Sequence, residues 1–401
     1  MIALLGILCI LFFAWLLSVD KRNIPYRTVF LTLGLQIVFA LLVLYIPAGK
    51  AALQMVTSGV AGIIEYGNVG ISFLFGDLAS GKNGFVFAIN VLGIIIFFSA
   101  LISALYHIGF MPRVINVIGG GLQRLLGTGR AESLSATANI FVGMIEAPLV
   151  IKPYLKSMSD SQFFAVMSCG LASVAGGTLV GYASIGVDLN YLIAAAFMSA
   201  PAGLLMAKIL MPPAKGAHQL DEITSVELPR ATNVVEALAD GAMSGLRIAV
   251  AIGATLLAFV SVIALLNGLL GSVGNWFGME LSFEFLLGYL FAPMAWLLGI
   301  PWHEATTAGS LIGQKIVVNE FVAFIELMRV EDQLSAHSQA VVTFALCGFA
   351  NISTMAILIG GLGSMVPERR EFIAKNGFRA IAAGVCANLM SAAIASVVLS
   401  I

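Results

Sequence analysis

Residues 138–150 read ANIFVGMIEAPLV. The surrounding chain is apolar enough for hydrocarbon, yet this stretch carries an amide at Asn139, an acid at Glu146 and a helix breaker at Pro148. Proline lacks an N–H and turns the residue before it away from helix. Backbone that leaves the helix at membrane depth is tolerated only where protein or a water-filled cavity satisfies its polar groups. The stretch therefore predicts an interrupted segment with Glu146 facing a cavity.

The composition agrees with that setting. Of 401 residues, 60% are hydrophobic and only 10% charged, and the mean hydropathy is +1.01. No soluble domain can hide so much apolar surface, so an all-α polytopic membrane protein is expected; the alternation of a barrel is absent. Runs at 1–19, 28–46 and 84–105 are each long enough to cross a bilayer as a helix. The first has no basic leader and no small-residue cleavage site, and is read as a retained helix. A formal net charge of −1 argues against nucleic acid as a partner. Cys9, Cys169, Cys347 and Cys386 lie in or beside apolar runs without metal spacing and read as packing residues. His107, His218, His303 and His337 are dispersed and match no zinc-protease spacing, which sets a metal enzyme aside.

Lys and Arg orient the chain, because they concentrate on the cytoplasmic side. The charged stretch 20–27 (DKRNIPYR) is placed inside, and the amino terminus outside. Residues 47–82 are rich in glycine and mixed in polarity, and suggest interfacial helices and turns rather than a span. A third helix at 84–108 leads back inside to Arg113, Arg124 and Arg130. Residues 212–230 (PPAKGAHQLDEITSVELPR) suggest a cytoplasmic linker between two halves. The cluster at 368–375, with Arg379, marks another inside loop, and a last helix at 380–400 ends outside.

The halves echo each other in type. The first pairs the opening stretch with a glycine-broken span at 170–182 (GLASVAGGTLVGY); the second pairs HEATTAGSLIGQKIVVNEFVAF with CGFANISTMAILIGGLGS at 347–364. Interrupted segments at corresponding places in two halves are the sequence sign of a secondary transporter with a site near the midplane. Intramembrane acids such as Glu146 and Glu320 then read as functional; the plainer alternative is a carboxylate held by helix ends or snorkelling outward. For Asn139, Asn319 and Asn351 that alternative is an interhelical hydrogen bond. For Ser173, Thr178, Ser353 and Thr354 it is a bond to their own helix. Freed carbonyls with Asn and Ser oxygens make a hard-oxygen cage suited to a small cation such as sodium. An enzyme using Glu146 and Glu320 as an acid–base pair lacks an accompanying nucleophile or metal constellation. A passive channel would show uptake indifferent to sodium and potential.

The stretches RAESLSATANIFVG, EAPLV, CGLASVAGG, GYASIGV, NEFVA, and FALCGFANIS with GGLGS together resemble the concentrative nucleoside transporters, over nearly the whole chain. The resemblance implies a homotrimer in an inner membrane, each protomer with eight transmembrane helices, two re-entrant hairpins, inverted repeats, and scaffold and transport parts that move as an elevator. On that pattern residues 1–110 hold scaffold helices and an interfacial segment, and 111–211 the first transport repeat. Residues 212–280 hold the linker and a long scaffold helix, and 281–401 the second repeat. The resemblance also implies a co-transported sodium ion at Asn139, Val142, Ser173 and Val174, the valines through their carbonyls. It puts the ribose at Glu320, Asn351 and Thr354 with Phe349 alongside, and the base at Met144, Ile145, Glu146 and Thr178.

The chain departs from the pattern on the base side. Gly143-Met144-Ile145-Glu146 stands where the family commonly reads Gly-Gln-Thr-Glu, so an amide and a hydroxyl have become apolar. Thr178 replaces the usual Val, and Thr354 the usual Ser. A buried base edge left unpaired costs about 1–3 kcal/mol per group. Ribose recognition is therefore expected to persist and base recognition to have changed.

Overall fold

The computed structural model describes residues 2–79, 86–214, 231–279 and 281–401. Helix α1 spans Ile2–Leu16, and α2 spans Tyr26–Ala40, prolonged by a π-helical turn at Leu41–Tyr45. Proline begins α3 (Pro47–Phe75) at a position where its missing N–H is harmless. Then come α4 (Phe87–His107) and α5 (Phe110–Leu126). In α5 the buried residues Met111, Ile115, Gly119, Leu122 and Leu126 fall on one face at helical spacing.

The first interrupted region follows as α6 (Arg130–Ala138), a 3₁₀ segment at Ala147–Tyr154, α7 (Asp160–Ala172) and α8 (Gly176–Ser184). Next are α9 (Leu189–Leu210) and α10 (Val234–Phe277). The second interrupted region comprises α11 (Phe283–Leu297), α12 (Trp302–Val317), α13 (Glu320–Arg329), α14 (Ala336–Leu346), α15 (Thr354–Gly360) and α16 (Leu362–Met365). The chain closes with α17 (Arg370–Leu399).

Among the described residues seven helical stretches are long and apolar enough to cross a membrane, up to eight if the pair α11 and α12, bent by 114°, counts as one. Helix α1 is apolar throughout but only 15 residues long. With 44 residues, α10 is roughly 66 Å long, about twice the hydrocarbon thickness, so it must tilt or protrude.

Packing sorts these helices into an inner and an outer set. Helices α7, α9 and α17 form the buried centre, joined by α6, α8 and α14. Helix α10 lies along α4, and α3 packs chiefly on α4 and on the turn after α2. Glycines 241 and 245 let α10 approach the α4 backbone at Ser99 and Ile96.

Two expectations need correction. Residues 47–75 are one unbroken helix rather than helices and turns. Internal glycines weaken a helix by about 1 kcal/mol each without ending it. The charged cluster at 368–375, read with Arg379 as a loop, is mostly the first turns of α17, since Arg, Glu and Lys are good helix formers outside hydrocarbon. Helix α1 lies on α17 and α2 on α9. The linker expected at 212–230 lies, from residue 215, outside the described residues.

The two regions are also tied at the surface. Lys156 Nζ donates to Glu368 Oε1 at 2.6 Å, which holds the Glu368 carboxyl below its usual range. Arg369 donates to Asp160 Oδ1 at 2.5 Å and to the Met158 carbonyl, over the rings of Phe163 and Phe372.

Candidate functional site

The first hairpin begins with a buried acid. Glu132 Oε1 accepts from the Gly129 N–H at 2.7 Å at the start of α6, and Oε2 accepts from Lys208 Nζ at 2.7 Å. Farther along the chain α6 stops at Asn139, which is fully buried. Its Nδ2 donates to the Ser135 carbonyl at 2.9 Å, and its Oδ1 has no hydrogen-bond partner among the described residues. A buried amide oxygen left free is a costly arrangement and is the donor type a hard cation takes.

The chain then turns through residues 140–146. A Cβ at Gly143 would overlap the Glu146 carboxylate, so the bare glycine leaves room for that side chain to lie over the tip. Glu146 itself is exposed. Met144 is buried, its Cβ so close to Gly170 that a Cβ there would come within 2.9 Å; Asn139 Oδ1 lies by the same glycine. Ile145 is half-buried and reaches Gly361 at the α15–α16 kink.

The first broken helix lies directly behind this tip. Residues 173–175 separate α7 from α8, and Gly176 N–H donates to the Phe141 carbonyl at 3.1 Å, so tip and break are tied by backbone. Val142, half-buried, follows Phe141; Ser173 and Val174 are buried at the break. Ser173 Oγ donates to the Gly170 carbonyl at 3.3 Å. Thr178 Oγ1 donates to the Ala175 carbonyl at 2.8 Å, so its proton is spent on its own helix.

The second region supplies an acid held from two sides. Asn319 caps α13, its Oδ1 accepting from Val322 N–H at 2.9 Å, which puts Glu320 in the first turn, where a helix favours an anion. Tyr182 Oη donates to Glu320 Oε1 and Asn351 Nδ2 to Oε2, both at 3.1 Å. Asn351 Oδ1 accepts from Thr354 N–H at 3.0 Å and Ser353 Oγ at 2.6 Å, so its amide is oriented by the start of α15. Thr354 Oγ1 donates to the Asn351 carbonyl at 2.5 Å. Phe349, half-buried, donates its N–H to the Ser173 carbonyl at 3.1 Å, joining the second break to the first.

The structure thus brings Glu320, Asn351 and Thr354 into one hydrogen-bonded cluster and ties Phe349 to Ser173. Asn139 and Met144 share the space beside Gly170, and Glu146 closes over the tip. Sequence reasoning misses Tyr182, which lies between Phe321 and Phe324 with ring centroids at 4.6 and 4.4 Å. It also misses Lys315 and Asn388, although an ionisable residue inside an apolar run is signal enough for Lys315. Glu304 turns out to be an anchor, accepting from Ser335 N–H and Oγ at 3.2 and 3.0 Å. Exposed His303 sits beside it, 3.4 Å away. Among the described residues no three His, Cys, Asp or Glu side chains come together as a metal site.

Two interrupted regions meeting in a helical membrane body define a multi-pass secondary transporter. Comparison with known proteins gives the family. The model of the "Na+ dependent nucleoside transporter C-terminus" matches residues 191–396, that of its N-terminus residues 5–78, and one described as "Nucleoside recognition" residues 88–188. The chain is 50% identical over 408 residues to the nucleoside permease NupC of Helicobacter pylori, covering 98% of this chain and 96% of that one. It is likewise 50% identical over 403 residues to an uncharacterized transporter of Haemophilus influenzae, at the same coverage. The solved structure of CNTnw in an inward-facing, substrate-bound state matches with a TM-score of 0.95 and 49% identity, over 100% of this chain and 97% of that one. A variant of CNTnw in an outward-facing state matches with a TM-score of 0.94 and 48% identity, at the same coverage. The chain belongs to the Na+-dependent nucleoside transporter family, whose members are transporters and not enzymes and in which sodium is co-transported.

Proposed function

We propose that this protein is a sodium–nucleoside symporter of an inner membrane, homotrimeric in the lipid bilayer, with both termini outside, working by an elevator movement. Sodium is held by Asn139, Val142, Ser173 and Val174; the ribose by Glu320, Asn351 and Thr354 with Phe349; the base lies against Met144, Ile145, Glu146 and Thr178. The observation that carries this reading is the 3.1 Å bond from Phe349 N–H to the Ser173 carbonyl, which makes the ion side and the sugar side one piece. The unpartnered Asn139 Oδ1 supports the ion side.

Sodium at Asn139 would draw in the first hairpin and complete the cavity that Glu146 closes. Each ligand then raises the affinity of the other by the same factor, and uptake against a gradient follows. Translocated positive charge also gains about 2.3 kcal/mol per 100 mV. The test is uptake of radiolabelled uridine and adenosine into proteoliposomes with and without an inward sodium gradient. Gradient-driven accumulation of unmodified nucleoside is expected; uptake indifferent to sodium and potential would make the protein a passive channel. In Asn139→Ala the sodium concentration for half-maximal uptake should rise about tenfold, the worth of roughly one charge-assisted contact. An unchanged sodium requirement would move the ion elsewhere.

The apolar pair Met144 and Ile145 favours altered base preference, with a modified nucleoside as the alternative cargo. Met144→Gln with Ile145→Thr should raise uridine affinity about tenfold, the gain being limited because the new carboxamide must fit the tight space beside Gly170. Competition among purine, pyrimidine and modified nucleosides for uptake reads the preference. No gain with any ordinary base would leave the modified nucleoside as the cargo.

A further inference from the structure

Lys315 in α12 and Asn388 in α17 lie in apolar surroundings, 1% and 3% exposed, and neither belongs to the site above. Such side chains must find partners inside the protein. Lys315 Nζ donates to Asn388 Oδ1 at 2.8 Å. An ammonium can only donate, so this contact fixes which way the carboxamide faces: oxygen to Lys315, both N–H groups away from it. Those two N–H groups reach the Ala172 carbonyl at 2.7 Å and the Cys347 carbonyl at 2.9 Å.

The two carbonyls have a particular origin. Ala172 is the last residue of α7 and Cys347 the C-cap of α14. They are acceptors left over where the two broken helices stop. The negative ends of two helix dipoles converge there, and Lys315 sets a positive charge beside them. One residue past Ala172 is Ser173; two past Cys347 is Phe349. Asn388 therefore clamps both breaks at the points from which the ion side and the sugar side begin.

We infer that Asn388, oriented by Lys315, is a positioning residue that transmits sodium binding at the first break to nucleoside binding at the second. The inference rests on the symport reading above. A shift of either carbonyl, on filling one side, moves the clamp and with it the other carbonyl, which is the contiguous physical link that coupling requires.

Gly348 offers a way to test it. The three atoms nearest to a Cβ there belong to the Asn388 carboxamide, at 2.2 to 2.6 Å, so Gly348→Ala must displace the clamp. Asn388→Asp is the second variant: it keeps an acceptor for Lys315 and removes both donors. Dissociation constants of uridine and adenosine are measured by calorimetry on the purified full-length protein in choline chloride and in sodium chloride. The ratio between the two salts is the readout. A fall of fivefold or more in that ratio is expected in both variants. A merely structural role would weaken binding equally in both salts and leave the ratio in place, and a smaller fall in a folded variant overturns the inference. A ratio of one in the unsubstituted protein would instead sink the symport reading itself.

Discussion

Glu320→Gln should lower nucleoside affinity by about 10- to 150-fold while the protein still folds. The carboxylate now accepts from Tyr182 Oη and Asn351 Nδ2, both at 3.1 Å. Glutamine keeps one acceptor, which Asn351 takes; its amide N–H then faces the Tyr182 hydroxyl, which can rotate and accept. The local network survives, but the ionised acceptor for a sugar hydroxyl is gone. A hydrogen bond to a charged group is worth about 1.5–3 kcal/mol, which is the stated factor. Calorimetric titration with uridine and adenosine in sodium chloride reads it. An affinity within threefold of the parent would remove Glu320 from the nucleoside site and leave it as a strut for Tyr182 and Asn351.

The second large effect concerns stability. Glu132 and Lys208 form an ion pair at 2.7 Å, with side chains 0% and 5% exposed. Glu132 sits in the first turn of α6 and Lys208 in the last turn of α9, so each charge also meets the helix end that favours it. Glu132→Ala leaves an uncompensated ammonium in the interior and is expected to destabilise the protein by about 3–5 kcal/mol. Replacing both, as Glu132→Leu with Lys208→Met, should recover most of that loss, because the penalty comes from the orphaned charge and not from the absence of the pair. Thermal unfolding in detergent distinguishes the two. Equal melting temperatures for Glu132→Ala and the parent would mean that Lys208 reaches water.

Much of this architecture is legible in the letters. Pro148, Gly143 and the acid between them announce an interrupted segment, and the glycine and Asn-Ile-Ser runs announce the broken helices. The letters fail where a residue acts through a distant partner. Tyr182 lies 138 positions from Glu320, and Asn388 lies 216 from Ala172; no local pattern encodes either meeting. Helix α3 escapes a reading in which glycine is punctuation, because each glycine only weakens a helix without ending it. The start of α17 escapes a reading in which charge means loop, since a helix can run on past the membrane with a charged surface. The apolar pair Met144 and Ile145 is itself legible in the sequence. That Met144 is buried beside Asn139, while Ile145 reaches Gly361, depends on tertiary packing that the sequence does not display.

The tie between Ser173 and Phe349 also bears on how such a chain can diversify. It is made by main-chain atoms, which nearly every residue can supply, and the clamp behind it uses the carbonyls of Ala172 and Cys347 in the same way. Substitutions at the hairpin tip, as at positions 144 and 145, touch neither. On the symport reading proposed above, a lineage can therefore trade one base for another at the tip, generation by generation, while the main-chain join between the two breaks is kept.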